Sequence, residues 1–287
     1  MMATNTLDAR VKSIHVQKYC QVFGNKDFFV EAYPIEKRSD FQEALHMFVR
    51  DYGASDLMQY DGAPEQVRPH TKLQANMRKY DIKGHTTDTK RSNQNPVEGV
   101  IRELRKKWYR EMFHTYSPRG LWCYGYPYVA KIMHLTASTS GKLQGRTPLE
   151  LIIGETPDIS QYLYFGCYDR VWYKKDAGIG ETKLGQFLGP SHKVGSLISY
   201  WVFPKSVIPI SRTTAQCVTH LETQIYANKN ASNTMIQLSM RGSMRYTHKN
   251  LSQHRAVTSR QWKCGNTLPM AMRIFRTNLP KCLITLM

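Results

Sequence analysis

Along residues 93–108, NQNPVEGVIRELRKKW, apolar side chains recur at steps of three and four: Val97, Val100, Ile101, Leu104 and Trp108 form one stripe. That is helical period. Asn95 and Pro96 read as a turn into the first helical turn, where proline loses nothing because its missing N–H has no partner there. Glu98 falls in that first turn, where the helix dipole favours an anion. Arg102, Arg105, Lys106 and Arg110 fall off the apolar stripe, so a carboxylate and a row of cations are expected to point outward together. A solvated amphipathic helix carrying a Glu–Arg pair has the same pattern.

Around this helix the period alternates. Residues 1–36 predict the start of a sheet, with strands over 18–23 and 28–35 and a hairpin-type turn at Gly24-Asn25. Residues 41–52 return to helical period through Phe41, Ala44, Leu45, Phe48 and Val49, and Gly53 ends that run. A short strand is expected over 57–60, stopped at Asp61-Gly62, then a helix over 71–79 and a strand over 80–85. A hydrophilic loop over 86–95 leads into the basic helix. A second long helix is expected from about residue 120 to 137, and a short one over 149–154. From residue 162 to about 221, short apolar runs (162–165, 169–172, 186–188, 197–202, 207–210) alternate with Gly and Pro turns, which reads as a small barrel or sandwich.

Composition narrows the field. The 287 residues suffice for one large or two smaller domains, and no stretch has the apolar length of a membrane span or the form of a signal segment. The six cysteines never occur as C-x-x-C, so they supply neither a zinc template nor a disulfide framework, and an intracellular, non-secreted setting is expected. Net charge is +18, but its distribution is uneven: all 22 acids lie at or before Glu222, leaving the first 222 residues with 30 basic residues and a net of +8, and the last 65 with ten Lys or Arg and no acid. The bias in the first part favours a polyanionic partner such as nucleic acid.

Strands and helices alternate over residues 1–140, a mixed α/β layer architecture. Asp61 sits at a strand end and Glu98 opens a helix 37 positions later. Carboxylates so placed can converge on a divalent metal, since Mg²⁺ needs only one or two protein carboxylates plus substrate phosphate, and two such ions clamp both oxygens of an in-line phosphoryl transfer. Taken alone, Asp-Gly after a strand is also an ordinary turn. The segments YDGAPEQ, QNPVEG, RELRKKWYR, GRTPLELIIGETPDI, YFGCYDRVWY and GQFLG follow one another in the order seen in integrases of copia-type retrotransposons, which this chain resembles from about residue 3 to 222. The resemblance implies a ribonuclease-H-like integrase catalytic core over 1–140, a linker with a short helix over 141–161, and a small all-β SH3-like barrel over 162–222. It implies a DDE triad holding Mg²⁺ or Mn²⁺ for DNA 3′-processing and strand transfer, with Asp61 and Glu98 as catalytic and metal-binding members. Gln94, Arg102, Arg105 and Lys106 would lie on double-stranded DNA, in a homo-oligomer as integrases form, with a nuclear or element-particle location. A zinc-binding domain with two His and two Cys is expected ahead of residue 1.

Against the family pattern, Thr4-Asn5-Thr6 stands where an Asp flanked by threonines belongs. Asn5 removes one negative charge from between two dications, and the nearby fallback, Asp8, is three residues on and faces the other side of a regular strand. Metal-dependent activity is therefore expected to be lost or severely reduced. His85 and His114 read as structural or exposed rather than as ligands, and Trp108 and Trp122 as core. The acid-free residues 223–287 read as an unstructured basic tail. They also fit a frameshift at about 225–233: the G of the Met235 codon joins the AT of the Ile236 codon to spell Asp, and Met240-Arg241 and Met244-Arg245 reread as Glu or Ala. The readings that follow are a degenerate retroelement integrase, a non-catalytic DNA-binding protein derived from one, and an unrelated nuclease of similar architecture.

Overall fold

The computed structural model describes residues 1–61, 72–87, 95–139, 141–174, 181–191, 199–206, 208–219 and 222. Gln94 and the tail over 223–287 lie outside the described residues. A compact unit spans Met1–Gln216 and holds two five-stranded sheets.

The first sheet is made by β1 (Met2–Asp8), β2 (Tyr19–Gly24), β3 (Val30–Ile35), β4 (Leu57–Tyr60) and β5 (Lys83–Thr86), in the order β3-β2-β1-β4-β5. β1, β2 and β3 are antiparallel neighbours, whereas β1–β4 and β4–β5 are parallel. Alternation of side chains along each strand divides the core in two. On one face Ala3, Leu7, Cys20, Val22, Val30 and Ala32 pack against Val97, Val100, Ile101, Leu104 and Trp108 of α3 (Pro96–Thr115) and Tyr126, Val129 and Met133 of α4 (Trp122–Leu135). On the other, Met2, Phe23, Tyr33, Met58 and Tyr60 pack against Phe41, Leu45 and Phe48 of α1 (Phe41–Tyr52) and Leu73 and Met77 of α2 (Lys72–Lys79). The result is a mixed sheet between two helical layers.

The helical periods of the sequence locate α1 to α4 to within a few residues, and α3 runs about two turns beyond Trp108, ending on a left-handed Tyr116 at φ 55°. Two close approaches fix its seat. A Cβ at Gly24 would come within 2.9 Å of the Phe29 carbonyl oxygen and 3.3 Å of Val97 Cγ2, so the end of β2 admits the start of α3 only without a side chain. At the crossing of α3 and α4, Gly125 lets the Trp108 indole lie where a Cβ would be 2.3 Å from it.

A short helix, α5 (Glu150–Ile153), leads to the second sheet: β6 (Arg170–Lys174), β7 (Thr182–Pro190), β8 (Tyr200–Pro204), β9 (Ile210–Arg212) and β10 (Ala215–Cys217), ordered β10-β6-β7-β8-β9. Its core is Phe165, Val171, Tyr173, Phe187, Tyr200 and Val202. The apolar run 162–165, expected as a strand, instead opens on a 3-10 turn at Ser160–Tyr162, and Phe165 packs under the sheet with its ring 5.1 Å from that of Phe187, tilted by 40°. β7 is far longer than the run 186–188 that announced it, since polar Thr182 and Lys183 pair with β6 and Gln186 pairs with both β6 and β8. Tyr128 of α4 joins the two sheets: its hydroxyl donates to Phe165 O at 3.4 Å and its ring meets Phe187 edge-on.

Candidate functional site

β1 is where the first sheet changes from antiparallel to parallel pairing, and the carboxyl ends of parallel strands at such a switch are where α/β sheets place ligands. The last paired rung of β1 and β4 is Thr4 with Tyr60. The next step along both chains brings Asn5 beside Asp61. Asn5 shares the α3 side of β1 with Ala3 and Leu7, and Asp61 continues the Gln59 side of β4, the same face. Both residues are half-buried.

Asn95 brings the third position in. Its side-chain oxygen accepts from Val97 N at 3.1 Å, capping α3, while its side-chain nitrogen donates to Thr4 O at 3.3 Å. One buried amide thus closes the helix start and ties it to β1. Glu98 lies in the turn so held and is half-buried. Two turns further along the same edge of the helix, Arg105 Nη2 donates to Asp8 O at 2.9 Å, so the Glu98–Arg105 edge runs along the end of β1. Asn5, Asp61 and Glu98 therefore occupy one end of the sheet.

The donor set there is two carboxylates and one amide. The side-chain oxygen of Asn5 already accepts from Thr6 N at 2.7 Å. Among the described residues no three His, Cys, Asp or Glu lie close enough to hold a metal ion. One divalent ion needs only one or two carboxylates and a phosphate, but a pair of ions needs the bridging anion that Asn5 lacks. Asp8 does not replace it: it sits on the α1 face of β1, is exposed, and its Oδ1 accepts from Arg10 N at 2.7 Å to close the turn after the strand.

Of the expected DNA-contacting cations, Arg102 and Lys106 are exposed, with Lys106 Nζ 3.6 Å from Glu103 Oε1, a surface pair of small energetic weight. Arg105 is the exception, being engaged with the Asp8 carbonyl. Lys107 is half-buried, and desolvation lowers its ammonium pKa.

A second polar cluster is one that sequence period did not announce. Glu31 of β3, only 3% exposed, receives Lys131 Nζ at 2.5 Å and the hydroxyl of Tyr52. His134 Nδ1 donates to Val30 O at 2.9 Å with Glu31 Oε1 at 3.3 Å, and burial pulls its pKa down to about 4. The cluster ties β3, α1 and α4 together. Its signal was present: Glu31 interrupts an apolar strand, and Lys131 and His134 sit one turn apart on an otherwise apolar helix.

The class this defines is an α/β sheet flanked by helices with a polar end at a β1–β4 parallel pair. Solved structures similar to it include the simian T-cell lymphotropic virus intasome in complex with PP2A regulatory subunit B56 gamma, at 11% identity and a TM-score of 0.40, covering 76% of this chain and 81% of that one. Others are the HTLV-2 integrase catalytic core domain in complex with magnesium, at 12% identity and 0.41 over 53% and 94% of the two chains, and the BIV integrase catalytic core domain, at 15% and 0.38 over 53% and 93%. No family model and no curated protein matches the chain. The functional reading accordingly rests on the residues and strand order above.

Proposed function

We propose that this chain is a retroelement integrase-like protein that binds double-stranded DNA along α3 and whose metal-dependent chemistry is impaired at Asn5. The observation that carries it is the placement of Asn5, Asp61 and Glu98 at one end of the sheet by strand register and the Asn95 tie. The expected ribonuclease-H-like order is supported by three antiparallel strands followed by two parallel ones, with the helices in two layers. A second sheet whose last strand returns beside its first supports the SH3-like barrel, and the ordered motifs support a copia-type origin. In this reading Asp61 and Glu98 would hold Mg²⁺ or Mn²⁺, and the ion would stabilise charge on a phosphodiester. Two carboxylates without the third leave strand transfer severely reduced.

The missing carboxylate also favours a second reading, a non-catalytic DNA-binding protein. The two separate in one comparison. Strand transfer with Mg²⁺ or Mn²⁺ on element-end DNA is measured for the chain and for Asn5→Asp. Activity in the variant far above that of the unaltered chain supports an impaired integrase; equal activity in both would falsify the role given to Asn5. Salt-dependent duplex binding without activity in either leaves the second reading. A homo-oligomer and a nuclear location follow from the first reading and are tested by light scattering and by imaging of the tagged chain.

A further inference from the structure

Beyond the point where α3 crosses the sheet, its outer surface carries two adjacent ridges. Arg102, Lys106, Arg110 and His114 recur every four residues and all are exposed. Beside them stand Tyr109, Phe113 and Tyr116, at 49%, 75% and 86% exposure. Each of Tyr109 and Phe113 lies three residues after a cation, so aromatic and basic side chains alternate along one helical strip. Phe113 stands edge-on to His114 at 5.9 Å. Tyr109 and Phe113 are on the helix itself, and Tyr116 follows as its left-handed C-cap.

Large aromatics cost free energy when left in water, and these occupy positions the fold does not need filled. A second copy of this chain would cover them only by bringing two basic ridges together in a molecule of net charge +18. A polyanion removes that conflict. Four helical residues rise about 6 Å, so Tyr109 and Phe113 are spaced for successive bases of an extended strand rather than for the stacked interior of a duplex, whose faces are covered.

The geometry points to a binding strip for single-stranded or frayed DNA on the C-terminal half of α3, in which Arg110 tracks phosphate beside Lys106, and Tyr109, Phe113 and Tyr116 stack on unpaired bases. This rests on the DNA-binding reading and adds a partner form to it: the duplex lies along the N-terminal half and an unpaired end continues over the aromatics.

The test uses the full chain and two fluorescent probes, a 20-nucleotide oligo-dT and a 20-base-pair duplex, titrated by anisotropy at several salt concentrations. Phe113→Ala and Tyr116→Ala remove exposed side chains and leave the core intact. Each is expected to weaken oligo-dT binding about 5- to 150-fold, the range of single base–aromatic stacks, with duplex affinity and both salt slopes unchanged. Phe113→Trp is expected to bind as the unaltered chain does, with its emission quenched by oligo-dT. Unchanged oligo-dT affinity in both alanine variants overturns the inference while leaving duplex binding standing. Conversion of an oligomer to a monomer by those substitutions, without change in oligo-dT affinity, also overturns it and assigns the ridge to self-association. No binding of either probe by the unaltered chain overturns the DNA-binding reading itself.

Discussion

Asn5 and Asp are nearly the same shape, yet at the end of a parallel strand pair the difference is one full charge facing Asp61. On the proposed reading, Asn5→Asp adds an anion beside the two carboxylates that would hold a dication, so Mg²⁺ or Mn²⁺ affinity is expected to rise about tenfold by calorimetry. The same carboxylate without metal repels its neighbours, so the variant should be less stable in chelator than in metal. His134 is a second residue whose charge decides behaviour. Burial holds its pKa near 4, against 6.5 in an unfolded chain, so the folded protein refuses a proton that the unfolded chain takes up. Stability is therefore full above pH 6.5 and falls as pH drops from 6.5 toward 4, by up to about 3 kcal/mol, and urea midpoints of His134→Gln should lack that slope. Motif order and spacing single out Asn5, Asp61 and Glu98 in the sequence, and strand register brings the first two to the same end of the sheet. The partners of Glu31 were not legible there, since Lys131 and His134 lie about a hundred positions away and only the packing of α4 on β3 brings them in.

The proposed reading gives the two halves of α3 different tasks, so they are expected to respond differently to substitution. Arg102→Gln with Lys106→Gln is expected to weaken duplex binding uniformly across sequences and to reduce the salt slope by about one for each phosphate no longer neutralised, with melting temperature unchanged. Unaltered affinity and slope would reduce the row to a solvated face. Arg105→Gln is a different case, since it removes a bond to the Asp8 carbonyl and loosens the helix from the strand. At the crossing with α4, Gly125→Ala gains about 1 kcal/mol of helix propensity but forces the buried Trp108 indole aside. Overpacking of a filled core costs about 1–3 kcal/mol and more when a large ring has nowhere to go, so a net loss of about 2 kcal/mol is expected in denaturant unfolding. Helical period announced α1 to α4 because each buries one stripe. The strands of the second sheet were poorly legible because β7 is half-buried and carries polar residues through its length, so period two never emerges.

Across the unit, two sheets and the four longer helices share their packing rather than standing as beads. In sequence, a core over 1–140 is set apart from a barrel over 162–222, while in space Tyr128 of α4 plugs into the Phe165–Phe187 cluster and Tyr124 meets Trp201 edge-on at 5.7 Å. Residues Met1–Gln216 are thus expected to unfold in one transition. Tyr128→Ala, by deleting a half-buried ring between the sheets, should lower stability by roughly 2 kcal/mol and split that transition in two. A single unsplit transition at lower temperature would place the coupling elsewhere in the packing of α4 on β7.

Asn95 gives the arrangement an evolutionary meaning. Its one amide locks the start of α3 to the strand bearing position 5, a tie that holds whether or not position 5 carries a charge. Asparagine and aspartate codons differ by a single base. On the proposed reading, position 5 is a single transition from a carboxylate and the frame that would hold it is already built, whereas loss of Asn95 would release the start of α3 from β1.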